Sequence, residues 1–292
     1  MKNQIDISVV TCSKNRHDFL EEVVKSTKDI INLREHIIVD FSSDQTISND
    51  LISLNNKVKI IKVENEKNWW LTRAYNFGMY QASGEYILKL DADSILNSTK
   101  FNELNFEEFQ YIGFKLDTTG LGNFLINKNI FNQINGFNEY IYHWGYDDLE
   151  IRERILKIQK IKHKTIDGSN MIKLYEHSNE ERFNLKSNYY EALSRAFTKS
   201  NSFISRKTIW NRENNLIYEQ TGENLFKINH FFSHKDNGFY LSLSTKAIFL
   251  KVYLNERFKT NIFNNLNYLL YFVPIKVLNK ITKKSFYPKK QT

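Results

Sequence analysis

The chain of 292 residues is 41% hydrophobic and 14% aromatic, so it can bury a substantial core in one large domain, with or without an extension. Its one cysteine, Cys12, excludes an intrachain disulfide and a cysteine-rich metal site, and this usage fits a reducing compartment. We predict no signal peptide, because residues 1–6 lack a basic segment followed by a long apolar run, and we therefore expect a cytoplasmic protein.

Strands and helices alternate through the first hundred residues. The predicted elements, in chain order, are a strand at 5–10, a helix at 19–31, a strand at 37–39, a strand at 58–63, a helix at 72–82 and a strand at 86–90. Gly84 marks the end of the second helix. This alternation predicts an α/β fold, with a mostly parallel sheet flanked by helices on both faces.

Polar loops follow three of these strands, at residues 11–16, 40–44 and 91–93. An open parallel sheet binds its ligand at the carboxyl ends of its strands, so we expect the three loops to converge on one site. The sequence contains neither a Gly-x-Gly-x-x-Gly motif nor a Walker-type loop. Dinucleotide-binding and P-loop interpretations therefore have no support.

Two carboxylates one residue apart, Asp91 and Asp93, end the strand at 86–90, where the alternation of apolar residues stops. Hard oxygen donors of this kind suit Mg²⁺ or Mn²⁺ that holds a diphosphate. The ordinary alternative is a solvated turn, because Asp-x-Asp is a common sequence.

Further motifs follow in a fixed order. They are residues 7–11 with Asn15 and Arg16, residues 37–40 with 42–44, the Arg-Ala-x-Asn-x-Gly helix at 71–78, Gly-Phe-Asn-Glu at 136–139, Trp-Gly-Tyr-Asp-Asp at 144–148 and His-Ser-Asn at 177–179. This ordered set, within residues 5–182, resembles the family-two glycosyltransferases of the GT-A fold, a Rossmann-like fold that binds nucleotide-diphospho-sugars. Within that family it is similar to the branch of the β-1,4-galactosyltransferases and the bacterial chondroitin-type polymerases.

The resemblance implies a metal site. Asp93 and His177 would bind the ion, which the family makes Mn²⁺, with Mg²⁺ as the other candidate, and Asp91 would support the metal or the ribose. Leu174 stands where the galactosyltransferases have a methionine ligand, so water would complete the coordination. Taken alone, a histidine on a polar loop such as His177 is more often a solvated residue than a ligand.

The resemblance also implies an acceptor site. Asp148 would be the general base that deprotonates the acceptor hydroxyl, and Asp147 would hydrogen-bond a sugar. The alternative is that both carboxylates only cap the helix that follows. Trp144 would offer an apolar face to a sugar ring, unless it is a core residue, and Gly145 would allow close approach of the backbone.

Four residues are candidates for binding the nucleotide: Thr11, Arg16, Asp40 and Arg73. Asp40 would accept from the uracil imide or the ribose, and Arg73 would reach the diphosphate as a bidentate donor. Each has an ordinary explanation of comparable weight as a surface residue.

The expected function is that of an inverting glycosyltransferase. It would transfer galactose or N-acetylgalactosamine from a UDP-sugar to a glycan or lipid-linked acceptor in the synthesis of a bacterial surface polysaccharide or glycolipid. A nucleotide-sugar-binding or glycan-binding protein without turnover and a sugar nucleotidyltransferase are the alternatives. Asp148 argues against the first, and the lack of a Gly-rich, Arg/Lys-bearing first loop argues against the second. We predict a catalytic domain at 1–186, with a donor half at 1–100 and an acceptor half at 101–186, then an extension at 187–256 and a tail at 257–292.

The positive charge is concentrated in that tail. Residues 257–292 hold eight Lys or Arg and no acidic residue, and the remaining 33 basic residues equal the 33 acidic ones. Apolar residues recur there at helical spacing before Pro274, in a run too short for the roughly 20 residues that span a bilayer. We predict an amphipathic helix at an anionic membrane surface, the alternative being a helix docked on the core. Nucleic acid is not an expected partner, because no recognition motif accompanies the charge.

Overall fold

The structure, a computed structural model, describes residues 5–66, 69–116, 122–141, 144–175, 190–207, 210, 218–228 and 243–259. His177 and the tail from residue 260 onward lie outside these residues, as do the predicted membrane helix and the metal-ligand role assigned to His177. Among the described residues, no helix is both long enough and apolar enough to cross a bilayer.

Eleven strands are present in the part of the chain that the structure describes. They are β1 (Ile7–Ser13), β2 (Leu33–Phe41), β3 (Val58–Glu64), β4 (Tyr86–Lys89), β5 (Ser94–Leu96), β6 (Tyr111–Lys115), β7 (Phe124–Asn127), β8 (His163–Asp167), β9 (Ile172–Leu174), β10 (Tyr218–Gly222) and β11 (Leu225–Ile228). The described helices are α1 (Leu20–Thr27), α2 (Asp50–Leu54), α3 (Leu71–Gln81), α4 (Ser98–Asn102), α5 (Lys128–Gln133), α6 (Asp147–Leu156), α7 (Tyr190–Lys207) and α8 (Leu243–Phe258).

Nine of the strands form one sheet in the order β10-β11-β3-β2-β1-β4-β7-β6-β8, and β5 pairs with β9 in a second, two-stranded sheet. In the large sheet, β11, β3, β2, β1 and β4 run parallel to one another, and β6 runs parallel to β8. Strand β10 runs antiparallel to β11, and β7 runs antiparallel to both β4 and β6. The predicted mostly parallel sheet with flanking helices is therefore confirmed. Because β1, β2 and β4 are adjacent and parallel, their carboxyl ends lie side by side, which is the condition for the predicted convergence of loops.

The central strands are covered on both faces, and most of their buried residues are apolar. All seven residues of β1 are buried, and eight of the nine in β2 are at least half-buried. Helix α3 packs closely on this part of the sheet at Gly78. A Cβ there would lie 2.7 Å from Val10 Cγ1 and 2.8 Å from Val39 Cγ2, so a larger residue would push the helix off the sheet. The glycine of the Arg-Ala-x-Asn-x-Gly motif is thus a packing residue.

The chain divides into two compact units. The first comprises Met1–Phe137, Ile151–Tyr175 and Asn211–Phe231, and it holds the large sheet. The second comprises Asn138–Glu150, Glu176–Trp210 and Phe232–Thr292. Within it α7 packs along α8, where Arg195 pairs with Glu256 at 2.9 Å. Strands β10 and β11, from the predicted extension at 187–256, are part of the large sheet. The domain boundaries themselves stay a prediction.

Candidate functional site

The loops after β1, β2 and β3 are held together by Lys14. Its ammonium group donates to the carbonyl oxygens of Phe41, at 3.1 Å, of Glu66, at 3.0 Å, and of Ser42. Three backbone carbonyls at the ends of two neighbouring strands thereby share one donor. A lysine one residue beyond β1 is thus what fixes the spacing of this edge of the sheet.

The first two predicted nucleotide loops contact each other directly. Asn15 Nδ2 donates to the Asp44 carboxylate at 3.0 Å, and the Asp44 amide donates back to Asn15 Oδ1 at 2.7 Å. Both loops turn through left-handed backbone, at Asn15 (φ 57°) and at Ser42 (φ 59°). Arg16, predicted to bind the nucleotide, is exposed on the first loop. The convergence predicted for these two loops is therefore present in the structure.

Two of the predicted nucleotide ligands are fully buried. The hydroxyl of Thr11 lies 3.0 Å from His36 Nε2, and the other ring nitrogen of His36 lies 2.9 Å from the hydroxyl of Thr27. Asp40 accepts from the amides of Ser43, at 3.0 Å, and Ile47, at 3.3 Å, so its carboxylate shapes the loop after β2. A nucleotide contact for the Thr11 side chain does not fit this placement, because its hydroxyl belongs to the core of the sheet.

Arg73, the predicted diphosphate ligand, forms a buried ion pair instead. Its guanidinium donates to Glu66 at 3.1 Å, and the two side chains keep only 4% and 5% exposure. The guanidinium also lies over the Trp70 ring at 3.6 Å, and Tyr218 of β10 donates to the same Glu66 oxygen at 2.9 Å. In this conformation Arg73 stabilises the segment after β3, since its charge is already paired within the protein.

The carboxylate turn follows β4, the strand beside β1. The Asp91 amide donates to Asn123 Oδ1 at 2.8 Å, which fixes the start of the turn. Asp91 Oδ1 accepts from Lys89 Nζ at 2.5 Å and from the Tyr75 hydroxyl at 2.8 Å. Burial raises the pKa of Tyr75 well above its usual value, and the Asp91 charge raises it further, so the phenol stays a donor at neutral pH.

Asp93, the second carboxylate, is half-buried at the start of the small sheet. Strand β5 pairs antiparallel with β9, with Ser94 opposite Leu174, and the Tyr175 amide donates to the Asp93 carbonyl oxygen at 2.9 Å. Tyr175 stands two residues before His177 in the sequence, and its ring stacks on Phe19 at 3.8 Å. Among the described residues, no group of three or more His, Cys, Asp or Glu side chains forms a metal site.

The glycine of the Gly-Phe-Asn-Glu motif is held by the asparagine of helix α3. Asn76 Nδ2 donates to the Phe137 carbonyl at 2.8 Å, and the Phe137 amide donates to Asn76 Oδ1 at 2.6 Å. Gly136 has φ +68°, and a Cβ there would lie 2.4 Å from Asn76 Oδ1. Only glycine fits this turn without strain. Two sequence motifs some sixty residues apart are thereby explained by one pair of buried hydrogen bonds.

In the second unit, Trp144 and Gly145 form a turn that leads into α6. Trp144 is 44% exposed, which excludes the alternative that it is a core residue. Gly145 has φ +93°, and Tyr146 follows with φ +74°, an unfavourable value for a residue with a Cβ. Asn201 of α7 donates to the Gly145 carbonyl at 2.7 Å and to the Trp144 carbonyl at 3.4 Å. A Cβ at position 145 would lie 2.7 Å from Thr198 Oγ1, so α7 leaves no room for a side chain at this position.

Asp147 and Asp148 lie in the first turn of α6, and both are half-buried. Asp148 Oδ1 lies 2.8 Å from the amide of Leu149, which is a bond within the helix start. The buried Glu150 accepts from Asn138 of the Gly-Phe-Asn-Glu motif at 3.3 Å. The two aspartates are thus placed favourably for the helix dipole, and this placement is compatible with either a capping or a catalytic role.

Sequence reasoning missed four residues that organise these sites: Tyr75, Lys89, Asn123 and Asn201. Lys89 fits the period-two pattern of its strand, so that pattern alone does not distinguish it from an exposed residue. Asn201 lies in a segment that matches no motif. A lysine two residues before an Asp-x-Asp inside an apolar strand was the one signal available, since lysine is rarely buried without a partner.

Comparisons with known proteins agree with this geometry. The family described as glycosyl transferase family 2 matches residues 8–105, and the family described as N-terminal domain of galactosyltransferase matches residues 105–179. An uncharacterized glycosyltransferase of Haemophilus influenzae is 31% identical over 99 residues, which are 32% of this chain and 30% of that protein. The match therefore spans about a third of that relative's length.

Three solved structures have similar folds at low sequence identity. The Drosophila β1,4-galactosyltransferase 7, solved as a mutant with manganese, UDP-Gal and xylobiose, gives a TM-score of 0.51 at 13% identity, covering 81% of this chain and 99% of its own. Residues 1–349 of TarS from S. aureus give 0.51 at 12% identity, covering 97% and 90%. The mannosyltransferase PcManGT of Pyrobaculum calidifontis, solved with GDP-Man and Mn²⁺, gives 0.50 at 11% identity, covering 99% and 89%.

The two family matches follow one another along the sheet that carries the Asp91 and Asp93 turn, and the solved neighbours share its fold. The chain has the fold of the GT-A glycosyltransferases, and in it a segment that matches the glycosyl transferase family 2 model is followed by one that matches the N-terminal domain of galactosyltransferase.

Proposed function

We propose that the protein is an inverting, metal-dependent glycosyltransferase that transfers galactose or N-acetylgalactosamine from a UDP-sugar. One observation carries the proposal: the Asp91 and Asp93 turn follows a central parallel strand beside the two joined loops after β1 and β2. A ligand of an open α/β sheet binds at this edge. The galactosyltransferase-type match over residues 105–179 supports the choice of donor sugar.

Asp93 and His177 would hold the ion, Mn²⁺ or Mg²⁺, with Asp91 in support. The donor set fits, because carboxylate oxygens suit both ions and an imidazole favours Mn²⁺. A backbone hydrogen bond from Tyr175 to Asp93 joins the end of β9 to the carboxylate turn. His177 follows Tyr175 by two residues in the sequence. When bound, such an ion neutralises the charge of the departing diphosphate. The protein's own task is to hold these side chains in place and to orient the donor.

Asp148 would act as the general base. The acceptor hydroxyl must lose a proton as its oxygen attacks the anomeric carbon, and a carboxylate can take that proton. Attack from the side opposite the diphosphate inverts the configuration, so an α-linked donor would give a β-linked product. Trp144 would provide the apolar face against which an acceptor sugar packs, in keeping with its exposure, and Asp147 would hydrogen-bond a sugar hydroxyl.

The acceptor would be a glycan or a lipid-linked precursor of a bacterial surface polysaccharide or glycolipid. We further propose a cytoplasmic enzyme that binds the inner face of the membrane peripherally through residues 257–292. The concentration of the whole net charge in that tail, beside an apolar stripe, supports this proposal. A tail helix docked on the core is the alternative, and the vesicle experiment below separates the two.

The purified protein would be incubated with Mn²⁺ and a panel of labelled UDP-sugars, with sugar and lipid acceptors, and UDP release would be measured. We expect release from UDP-galactose or UDP-N-acetylgalactosamine above the other donors, with label transferred to the acceptor. Incorporation of label from a nucleoside triphosphate would identify a nucleotidyltransferase instead. Tight UDP-sugar binding without turnover on any acceptor would identify a binding protein, and either result would overturn the proposal.

A further inference from the structure

Lys89 is a buried cation in the central strand β4. Its side chain keeps 2% exposure, and its ammonium group contacts Asp91 Oδ1 at 2.5 Å and the Gly122 carbonyl oxygen at 2.6 Å. The same group lies 4.2 Å from the centre of the Tyr75 ring. Burying an ammonium group costs free energy, and a hydrophobic residue of similar volume is often as stable or more stable in such a place. Packing alone therefore does not explain why a lysine occupies this position.

The contacts of Lys89 converge on one atom of the carboxylate turn. Asp91 Oδ1 accepts from both Lys89 and the Tyr75 hydroxyl, so both of its lone-pair directions are occupied by donors. Oδ2 is then the oxygen that remains to accept from a ligand, and the Asp91 side chain as a whole keeps 30% exposure. Gly122 leaves room beside it, since a Cβ there would lie 3.1 Å from Oδ2.

The lysine also changes the charge that a ligand meets. Asp91 and Asp93 together carry two negative charges, which would repel the diphosphate of a nucleotide-sugar. The Lys89 charge, held against Asp91, reduces the net charge of the turn to one. Because the Lys89 ammonium group is buried, salt screens this compensation only weakly.

We infer that Lys89 is a positioning residue of the donor site that acts through Asp91: together with Tyr75 it fixes the carboxylate, presents Oδ2 to the donor and halves the negative charge of the turn. This inference rests on the proposed function. Lys89 does not contact the donor in this account, and its effect depends entirely on the Asp91 carboxylate.

The test is a double-mutant cycle of Lys89→Met and Asp91→Asn. UDP affinity would be measured by calorimetry with Mn²⁺ and again in EDTA, and kcat and KM for the UDP-sugar would be measured well below the melting temperature of every variant. Lys89→Met should weaken UDP binding and lower kcat/KM by about tenfold or more, the usual scale for losing a group that orients a ligand-binding side chain. In the Asp91→Asn background the same change should have almost no further effect. Lys100→Met, at an exposed lysine paired with Glu103, is the control for loss of one charge.

Multiplicative effects of the two substitutions, or unchanged affinity and kinetics in Lys89→Met, would overturn the inference. If Lys89→Met does not fold, Tyr75→Phe removes the second donor to Oδ1 and retains the charge. It should then reduce UDP affinity several-fold in the wild-type background and not in Asp91→Asn, and equal reductions in both would also overturn it. If the wild type binds UDP and the variants bind it equally well, only the role of Lys89 is contradicted. A wild-type protein that binds no UDP contradicts the proposed function.

Discussion

The side-chain amide of Asn201 lies 2.7 Å from the carbonyl oxygen of Gly145 and donates a hydrogen bond to it. Asn201 belongs to α7, a helix that carries no recognisable motif, whereas Gly145 belongs to the most specific motif of the sequence. The helix therefore supplies the support for the turn that exposes Trp144.

Asn201→Ala should loosen this turn. The substitution removes the donor to two part-buried carbonyl oxygens, at a cost of about 1 kcal/mol in the free energy of unfolding. We expect a higher KM for the acceptor with unchanged UDP affinity, measured alongside urea unfolding. Asn105→Ala, at an exposed asparagine that contacts Glu108, is the matched control. An Asn201→Ala protein with wild-type acceptor kinetics would show that the turn holds without this bond.

Asp93→Ala should abolish turnover of the UDP-sugar, because the ion that neutralises the diphosphate loses a charged ligand. EDTA should do the same to the wild type, and Mn²⁺ should restore only the wild type. Asp50→Ala, at an exposed aspartate in α2, should retain normal activity. Full activity of the wild type in EDTA, or an Asp93→Ala enzyme within a few-fold of it, would refute the metal assignment.

Asp148→Asn distinguishes a general base from a helix cap. Asparagine caps a helix about as well as aspartate, so stability should change little, whereas it cannot take a proton. We expect kcat to fall by roughly a hundredfold or more, with UDP affinity nearly unchanged. An equal loss of UDP binding would indicate a donor-site or structural role. The linkage formed by the wild type should be β by NMR.

Acid should destabilise the protein through His36. Burial lowers the pKa of this histidine from 6.5 to about 3, so between these pH values the unfolded chain binds a proton that the folded chain does not. Its contribution is therefore fully present above pH 6.5, and the free energy of unfolding falls as the pH falls below that value, by up to about 1.4 kcal/mol per pH unit. Urea unfolding of wild type and His36→Gln at several pH values should show their difference shrinking towards acid.

Removing residues 260–292 should release the protein from vesicles that contain anionic lipid while leaving UDP affinity intact. Each lysine near such a surface contributes about 1 kcal/mol, and salt screens this term, so binding of the full chain should weaken steeply as salt rises. Co-sedimentation with anionic and with neutral vesicles, at low and at high salt, measures the effect of the truncation and the effect of salt. A full-length chain that ignores anionic vesicles, or a truncated chain that unfolds, would favour the docked helix.

The elements from residue 5 to residue 93 were predictable because their signals are local. Each segment shows the spacing of apolar residues that is typical of its strand or helix, and the polar loops mark the ends of the strands. The strand β1 extends to Ser13, beyond the predicted 5–10, because its parallel partner β2 continues to pair with it, with Thr11 opposite Ile38 and Ser13 opposite Asp40. Even there, the short helix α2 went unpredicted.

The partners of individual charges were not predictable, since they depend on tertiary packing. Arg73 was expected to face a diphosphate, yet Glu66, only seven residues earlier, pairs with it in the core. Lys89 carried no prediction, although Asp91 pairs with it and the Tyr75 ring covers it in the structure. Both charges are paired with neighbours that the sequence pattern does not indicate.

The edge of the donor half is completed by a segment made much later. Strand β11 pairs in parallel with β3, Phe226 opposite Val63, and Phe77 packs against both Tyr218 and Phe226. During synthesis, β3 must wait for roughly 160 further residues before this pairing forms, which at usual rates of about 5–20 residues per second is on the order of ten to thirty seconds. Through that interval an apolar strand edge stays open to other chains. The β3 edge is thus still unpaired when the last of the recognisable motifs has been translated.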